Sequence, residues 1–270
     1  MARVNARSET AFIRPRWNWL LLSFARREVF SRYAGSVSGL AWTLLHPLAQ
    51  LAIFAFVFSQ VFRVGMPPEY VNATYTTFVA IALWPWIMFS EALTRAMNSV
   101  AANAGLIRKV AFPHRLLVYA AVLATFAVHS VGFVAVIVVL RVLGEPVSLS
   151  HVPLAFVLLV PYMLLAAGIG AALAAFQTML RDVEHAVQIV LTVLLYASPV
   201  LYSATLVPES MRGIYRLNPI AWFSERLREV LLGGSGLIAG DALAGLFCIA
   251  VFAGGLWIFN RISPHFEDFL

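Results

Sequence analysis

The stretch Val152–Gln177, VPLAFVLLVPYMLLAAGIGAALAAFQ, contains no charged residue. It lies inside a run of 35 residues, between Glu145 and Arg181, that is free of Asp, Glu, Lys and Arg. Because the hydrocarbon core of a bilayer is about 30 Å thick, a helix of roughly 20 apolar residues is long enough to cross it. This stretch therefore predicts a transmembrane helix.

The rest of the chain has the composition of a protein that crosses the membrane several times. Of its 270 residues, 61% are hydrophobic and 12% are charged, and the mean hydropathy is +0.84. A soluble domain usually has about 25% charged residues, so an ordinary cytoplasmic enzyme is not expected. Charge-free runs predict six spans in all: Leu40–Phe62, Tyr75–Met97, Leu116–Leu140, Val152–Gln177, Ala186–Ser203 and Ala242–Asn260.

Two regions are neither spans nor simple loops. Trp17–Tyr33 mixes tryptophans and leucines with arginines, which favours an interfacial helix over an ordinary juxtamembrane helix. In Pro208–Gly236, Asn218 and Pro219 predict a helix start, and the helix is too short to cross a bilayer. We expect two short amphipathic helices that enter one face of the membrane and return, with a folded surface loop as the alternative.

The predicted fold is thus an all-α membrane protein with six transmembrane helices, an interfacial helix and a re-entrant excursion between spans five and six.

The distribution of basic residues predicts the orientation of the chain. With six spans, 13 of the 19 lysines and arginines lie on the side that holds the N-terminus. Cytoplasmic loops are enriched in these residues, so both termini are expected in the cytoplasm. The pI of 9.9 then reflects topology and contact with anionic lipids, and nucleic-acid binding is not expected.

Several kinds of chemistry are excluded by missing residues. The only lysine, Lys109, precedes Val110, whereas a P-loop needs Lys followed by Ser or Thr, so the chain is not expected to hydrolyse ATP. The single Cys248 excludes an internal disulfide and a Cys-rich metal site. The spans hold few ionisable groups, which argues against proton-coupled transport and intramembrane acid–base catalysis. A passive or externally powered conduit without catalytic or metal-binding residues remains.

The aromatic residues suit a conduit for sugars. The chain has 20 Phe, 7 Trp and 8 Tyr, and aromatic faces stack on the apolar faces of sugar rings while allowing them to slide. Packing against lipid or neighbouring helices is the alternative for each ring. The candidate channel aromatics are Trp42, Phe54, Phe58, Trp84, Trp86, Phe89, Tyr196 and Tyr202.

The connection Ala101–Arg115, AANAGLIRKVAFPHR, lies on the predicted cytoplasmic side. It combines apolar residues with Arg108, Lys109 and Arg115, which indicates a short helix with an exposed apolar edge. Such an edge suggests a docking surface for a soluble partner, and a loop that lies along the lipid is the alternative.

Four segments carry a resemblance to a known family. They are RREVFSRYAGSVSGLAWTLLHPL (Arg26–Leu48), AGLIRKVAFPHRLL (Ala104–Leu117), RDVEHAVQIVLTVLLYASPVLY (Arg181–Tyr202) and LNPIAWFSERLREVLL (Leu217–Leu232). The chain resembles ABC-2 type permeases, and more narrowly the Wzm-like subunits that export lipid-linked O-antigen and the related teichoic-acid and capsule exporters.

The resemblance implies partners and site residues. Two copies would form the channel in the bacterial cytoplasmic membrane, and each would dock a separate Wzt-like ATPase that binds ATP and magnesium, leaving no cofactor in this chain. The coupling helix would be Asn103–Arg115, with ATPase contacts at Arg108, Lys109, Phe112, Pro113 and His114. The periplasmic gate helices would be Pro208–Leu232, including Pro208, Asn218, Pro219, Trp222, Phe223 and Arg226. Candidates for binding the lipid diphosphate are Arg26, Arg27 and Arg32, with positive-inside anchoring as the alternative.

The expected function is powered translocation of a polyprenyl-diphosphate-linked polysaccharide, with O-antigen as the first choice. The alternatives within the class are capsular polysaccharide or wall teichoic acid, and more remotely a drug or a small lipid. A membrane enzyme acting on polyprenyl-linked glycans is the alternative from another class. It would need converging carboxylates or basic residues, and the chain has few.

Overall fold

A computed structural model describes residues 14–33 and 39–269, and in this part of the chain every regular element is helical. The α-helices are α1 Arg14–Tyr33, α2 Gly39–Phe56, α3 Tyr75–Asn98, α4 Ala104–Ile107, α5 Arg115–Val142, α6 Val152–Met179, α7 Val183–Ala197, α8 Arg212–Arg216, α9 Pro219–Leu231, α10 Ala239–Ile262 and α11 Phe266–Phe269. A π-helical turn, Val57–Val61, prolongs α2. Short 3₁₀ turns lie at Pro68–Tyr70, Ala101–Asn103, Leu149–His151, Ala204–Leu206, Glu209–Met211 and Ser263–His265. The predicted all-α class is confirmed.

Four helices among the described residues are long and apolar enough to cross a membrane. They are α3, α5, α6 with its preceding turn, and α10 with its following turn. Two shorter apolar helices, Leu45–Val61 and Val183–Ala197, lie where the first and fifth spans are predicted. The count of six spans therefore stays a prediction.

The end of α7 differs from the predicted end of the fifth span. The helix stops at Ala197, and Ser198 has an extended backbone with φ −109° and ψ 154°. Because a proline disfavours the α conformation in the residue before it, Pro199 accounts for this stop. The chain then turns, and the segment that follows leads to the outer helices α8 and α9.

The core is organised around α3. Its N-cap is Thr74, whose side-chain oxygen accepts a hydrogen bond from the Thr77 amide at 3.3 Å. Most of the following helix is buried, and it packs against α2, α5, α6, α7 and α9. The helix is hydrophobic on nearly every side, and Trp84 and Phe89 are among its buried residues. A helix of this kind is expected to be surrounded by others.

The backbones of α6 and α10 approach each other closely at two glycines. A Cβ added at Gly168 would come within 2.5 Å of the Phe252 Cα, and one added at Gly255 would overlap the Gly168 carbonyl. Small residues allow the backbones of membrane helices to approach in this way. The glycines therefore serve helix packing.

The segment predicted as a coupling helix is only partly helical. One 3₁₀ turn, Ala101–Asn103, leads into the single α-helical turn α4, and α5 begins only at Arg115. The residues between them form no regular helix, and Pro113 disfavours helix at the preceding Phe112. The predicted helix Asn103–Arg115 is wrong in its extent, and we call residues 101–114 the docking segment.

Candidate functional site: a polar groove and the two ends of the bundle

A polar groove runs between α2, α3 and α7. It encloses about 370 Å³ and is lined by polar side chains on helices that are otherwise apolar. These polar side chains are His46, Gln50, Ser90, Glu91, Thr94, Gln188 and Thr192, and Trp86 adds an aromatic ring. Hydroxyls, amides and a carboxylate facing a shared space can exchange hydrogen bonds with a polar solute, which an apolar helix face cannot do.

An ionic network closes one wall of the groove. The Glu91 carboxylate accepts from Arg95 Nε at 2.6 Å and lies 2.7 Å from His129 Nε2. Arg95 also pairs with Glu28 of α1 at 3.3 Å, so α1, α3 and α5 are linked. Charged groups inside a membrane protein normally pair in this way. His129 is buried, which agrees with a hydrogen-bonded packing role.

The candidate channel aromatics divide into two groups. Trp84 and Phe89 are buried: the Trp84 indole donates to the His129 carbonyl at 3.0 Å, and Phe89 stacks on Tyr162 at 4.8 Å between centroids. These two rings therefore serve helix packing inside the chain. Of the other six, Trp86 is also buried but lines the groove, Trp42 and Tyr196 are exposed, and Phe54, Phe58 and Tyr202 are half-buried.

The docking segment lies at the end of the bundle where α3 ends and α5 begins. Arg108 and Lys109 are exposed, whereas Phe112, Pro113 and His114 are half-buried. The Phe112 ring lies 5.4 Å from that of Phe24 in α1, and His114 stacks on Phe266 in α11 at 5.9 Å. An aromatic row thus ties the segment to both α1 and α11.

The three arginines predicted to bind diphosphate lie on α1. The Arg26 guanidinium is 5.4 Å from the centre of the Phe30 ring, and Arg27 is 5.5 Å from that of Phe24. Arg27 also donates to the Asn103 side chain in the docking segment. Arg32 belongs to α1, but its side chain lies outside the described residues.

The predicted gate residues build the outer hairpin, which we define as residues 204–231. Pro208 is exposed before α8, and Asn218 caps α9 by accepting from the Ile220 amide at 2.9 Å, with Pro219 as the first helical residue. The rings of Trp222 and Phe223 are 5.1 Å apart, and Phe223 packs on Tyr162. The cap and the aromatic contacts fix α9 against the bundle.

Arg226 joins the outer hairpin to α10. It is buried, and its Nε and Nη2 donate to the two oxygens of Asp241 at 2.7 and 3.0 Å. Further donors reach Glu229, Ser235 and the Gly236 carbonyl. A bidentate pair of this kind fixes geometry as well as charge, so Arg226 anchors the hairpin.

Arg228 joins the same helix to α3 and to the end of α7. Its guanidinium is buried and donates to the carbonyls of Phe78, Pro199 and Val200 at 2.9, 2.6 and 2.6 Å. It also lies 3.7 Å from the centre of the Phe78 ring. Burial lowers the pKa of Arg228 to about 10, so the group is charged at neutral pH.

Sequence reasoning missed most of the groove and the role of Arg228. Gln50, Gln188 and Thr192 were available as isolated polar residues within predicted spans, but periodicity alone does not show that they face one space. The sequence did not indicate that Arg228 is buried, because two arginines and two glutamates lie close together in this part of the outer hairpin. Only contacts between distant segments distinguish the buried arginines from exposed ones.

Comparison with known proteins gives a family match and several relatives. The model of the family described as ABC-2 type transporter matches residues 20–232. A Klebsiella pneumoniae protein named O-antigen export system permease protein RfbA is 28% identical over 252 residues, which covers 93% of this chain and 95% of that protein. A second Klebsiella pneumoniae protein of this name is 28% identical over 254 residues, covering 93% and 95%. One from Myxococcus xanthus is 30% identical over 208 residues, covering 74% of this chain and 75% of that protein.

Proposed function

The chain belongs to the ABC-2 type transporter family, and from that premise we propose that it is the permease subunit of an ATP-driven exporter of O-antigen. The substrate would be a polysaccharide linked to a polyprenyl diphosphate. The two Klebsiella pneumoniae relatives named for O-antigen export align with 93% of the chain, which supports this choice over capsule or teichoic acid.

The observation that carries the proposal is the polar groove between α2, α3 and α7. In a chain whose helices are otherwise apolar, hydroxyls, amides and Glu91 face one open space of about 370 Å³. Polar groups inside a membrane are costly and normally line a pathway. In the proposed homodimer the grooves of two copies face each other and form the conduit.

The direction of transport follows from the proposed topology. Six spans, counting α2 with its π-turn and α7, would cross the bacterial inner membrane and leave both termini in the cytoplasm. Arg26 and Arg27 on α1 would then meet the lipid diphosphate at the cytoplasmic surface, where arginine suits phosphate. The glycan would leave at the outer hairpin without covalent change.

Energy would come from a partner ATPase seated on the docking segment. Arg108 and Lys109 are exposed there, while Phe112 and His114 connect the segment to α1 and α11 through their rings. A displacement of the exposed part of the docking segment would therefore be transmitted to α1, near the N-terminus, and to α11, near the C-terminus. Two ATPase copies would drive the two permease copies.

Co-reconstitution tests the function. The permease and its proposed ATPase subunit are placed in inside-out vesicles with fluorescent lipid-linked O-antigen, and protected glycan is measured. We expect ATP-dependent uptake that needs both proteins. No uptake with the wild-type pair, or equal uptake of a teichoic acid, would overturn the O-antigen assignment.

A double charge reversal tests the docking segment. Arg108→Glu with Lys109→Glu should abolish stimulation of the ATPase by the permease, because the contact with the partner becomes repulsive. Insertion into the membrane should be unchanged. Arg141→Glu, at an exposed position near the other end of α5, should leave stimulation as in wild type. Normal stimulation in the double variant would defeat the assignment of this segment as the ATPase contact.

A further inference from the structure

A second cavity lies at the end of the bundle opposite the docking segment. It encloses about 380 Å³ between the 3₁₀ turn before α3, the chain after α7, and α9. Ligand pockets are usually about 300–1,000 Å³ in volume, so this space is large enough for a small polar molecule. We call it the outer cavity, and neither the groove nor the docking segment contributes to it.

Arg228 forms the floor of the outer cavity. Three of its five N–H donors bond to the carbonyls of Phe78, Pro199 and Val200. These bonds hold the guanidinium against α3 and the chain after α7.

The mouth of the outer cavity is rich in hydrogen-bond acceptors. Three carboxylates line it, from Glu69, Glu225 and Glu229, together with the one guanidinium of Arg228, and Glu229 is also paired with Arg226 at 3.1 Å. Glu225 is half-buried, and burial raises its pKa although nearby Arg228 opposes the shift. Ser203 and Thr205 add hydroxyls. Because hydrogen-bond acceptors outnumber donors in this lining, a ligand with hydroxyl or other hydrogen-bond donors fits it best. The net negative charge of the lining repels anions.

An aromatic ring completes the wall. Tyr70 is half-buried beside Phe78, with ring centroids 5.9 Å apart, and it lines the same space. Burial, with the Glu229 carboxylate second, raises the pKa of Tyr70 to about 12. Its hydroxyl therefore stays protonated and can donate. Carboxylates, hydroxyls and one ring together match a sugar, which has several hydroxyl donors and an apolar ring face.

We propose that the outer cavity is a binding site for an uncharged sugar residue, and that Glu69, Glu225 and Tyr70 form it. The inference rests on the proposed function in taking the sugar to be part of the exported glycan. The site then favours export of a polymer of uncharged sugars. Polymers of uronic acid or sugar phosphate carry negative charges, which the carboxylates of the cavity would repel.

Direct binding to the full chain in lipid nanodiscs tests the site without the ATPase. Titration with a neutral trisaccharide of N-acetylglucosamine, followed by saturation-transfer NMR, should show saturable binding. The anionic trigalacturonate should bind at least tenfold more weakly, since the carboxylates of Glu69 and Glu225 oppose it. Equal binding of the two probes, or no binding of the neutral one, would overturn the proposal.

Variants assign the effect to the cavity. Glu69→Gln with Glu225→Gln should remove most of the discrimination against trigalacturonate. Glu209→Gln, on the same hairpin but outside the cavity and 88% exposed, should leave it unchanged. Tyr70→Ala should weaken binding of the neutral probe about tenfold, whereas Tyr70→Phe keeps the ring and most of the affinity. Discrimination that survives the double variant would place binding elsewhere.

The two proposals fail separately. Export by the reconstituted pair without sugar binding to the isolated chain would remove only the outer site. Charge-selective sugar binding without ATP-dependent export would remove only the proposed function.

Discussion

At the scale of single residues, the two buried arginines of α9 have different neighbours. Arg226 binds a carboxylate, Asp241, whereas the hydrogen bonds of Arg228 go to three backbone carbonyls. A buried charge is stable only when its hydrogen bonds are made. Arg228 therefore depends on three carbonyls that belong to two distant segments, α3 and the chain after α7.

Replacing Arg228 should destabilise the chain strongly. Arg228→Met keeps the length of the side chain but leaves the carbonyls of Phe78, Pro199 and Val200 without these donors, so a loss of about 3–5 kcal/mol in unfolding free energy is expected. Denaturant unfolding in detergent micelles measures it. Arg212→Met serves as the control, because Arg212 is 47% exposed on the same hairpin, and it should cost below about 1 kcal/mol. Equal losses in the two variants would contradict a special role for Arg228.

At the scale of elements, the contact between α6 and α10 is backbone against backbone. Gly168 and Gly255 leave no room for a side chain at the crossing, whereas Gly254 beside it faces open space. Dispersion contacts of this kind associate helices where lipid removes the hydrophobic driving force. The crossing therefore determines how closely the last long helix packs on the bundle.

Adding one methyl group distinguishes the neighbouring glycines. Gly255→Ala should cost about 1–3 kcal/mol, because the Cβ would overlap the Gly168 carbonyl and force the helices apart. Gly254→Ala meets no atom within 4 Å and should be neutral or slightly stabilising, since Ala favours helix. Thermal unfolding of the two variants in the same detergent compares them. A Gly255→Ala chain as stable as wild type would mean that the helices separate at little cost.

At the scale of the whole molecule, one copy leaves a continuous apolar face beside the open groove. Val193 on α7 is 59% exposed, and Ile189 and Tyr196 are exposed beside it. In the proposed homodimer, α7 of one copy lies against that of the other. The far side of the bundle, which includes Leu243 on α10, would face lipid.

Disulfide cross-linking tests this arrangement. In a Cys248→Ala background, Val193→Cys should give a covalent dimer on mild oxidation in native membranes, because the two thiols would lie close to the two-fold axis. Leu243→Cys, at a position 68% exposed on α10, should remain monomeric under the same treatment. Non-reducing electrophoresis separates the forms. Cross-linking at Leu243 but not at Val193 would require a different interface.

The sequence by itself determined the fold class and the positions of the long helices, because charge-free runs of about 20 residues have few folding solutions in a bilayer. It also indicated the cap at Asn218, which depends only on neighbouring residues. The structure departs from the predicted helix bounds next to two prolines. Pro113 limits the docking segment to one α-helical turn, and Pro199 ends α7 before the predicted end of the fifth span.

Only the tertiary structure decided which polar and aromatic residues face open space. Gln50, Ser90 and Gln188 meet in one groove although they are far apart in the chain, whereas the rings of Trp84 and Phe89 pack inside the chain. The outer cavity likewise joins Glu69 to Glu225 across most of the sequence. The physical reason is that periodicity assigns a residue to a helix face, whereas the neighbours of that face depend on how all the helices pack.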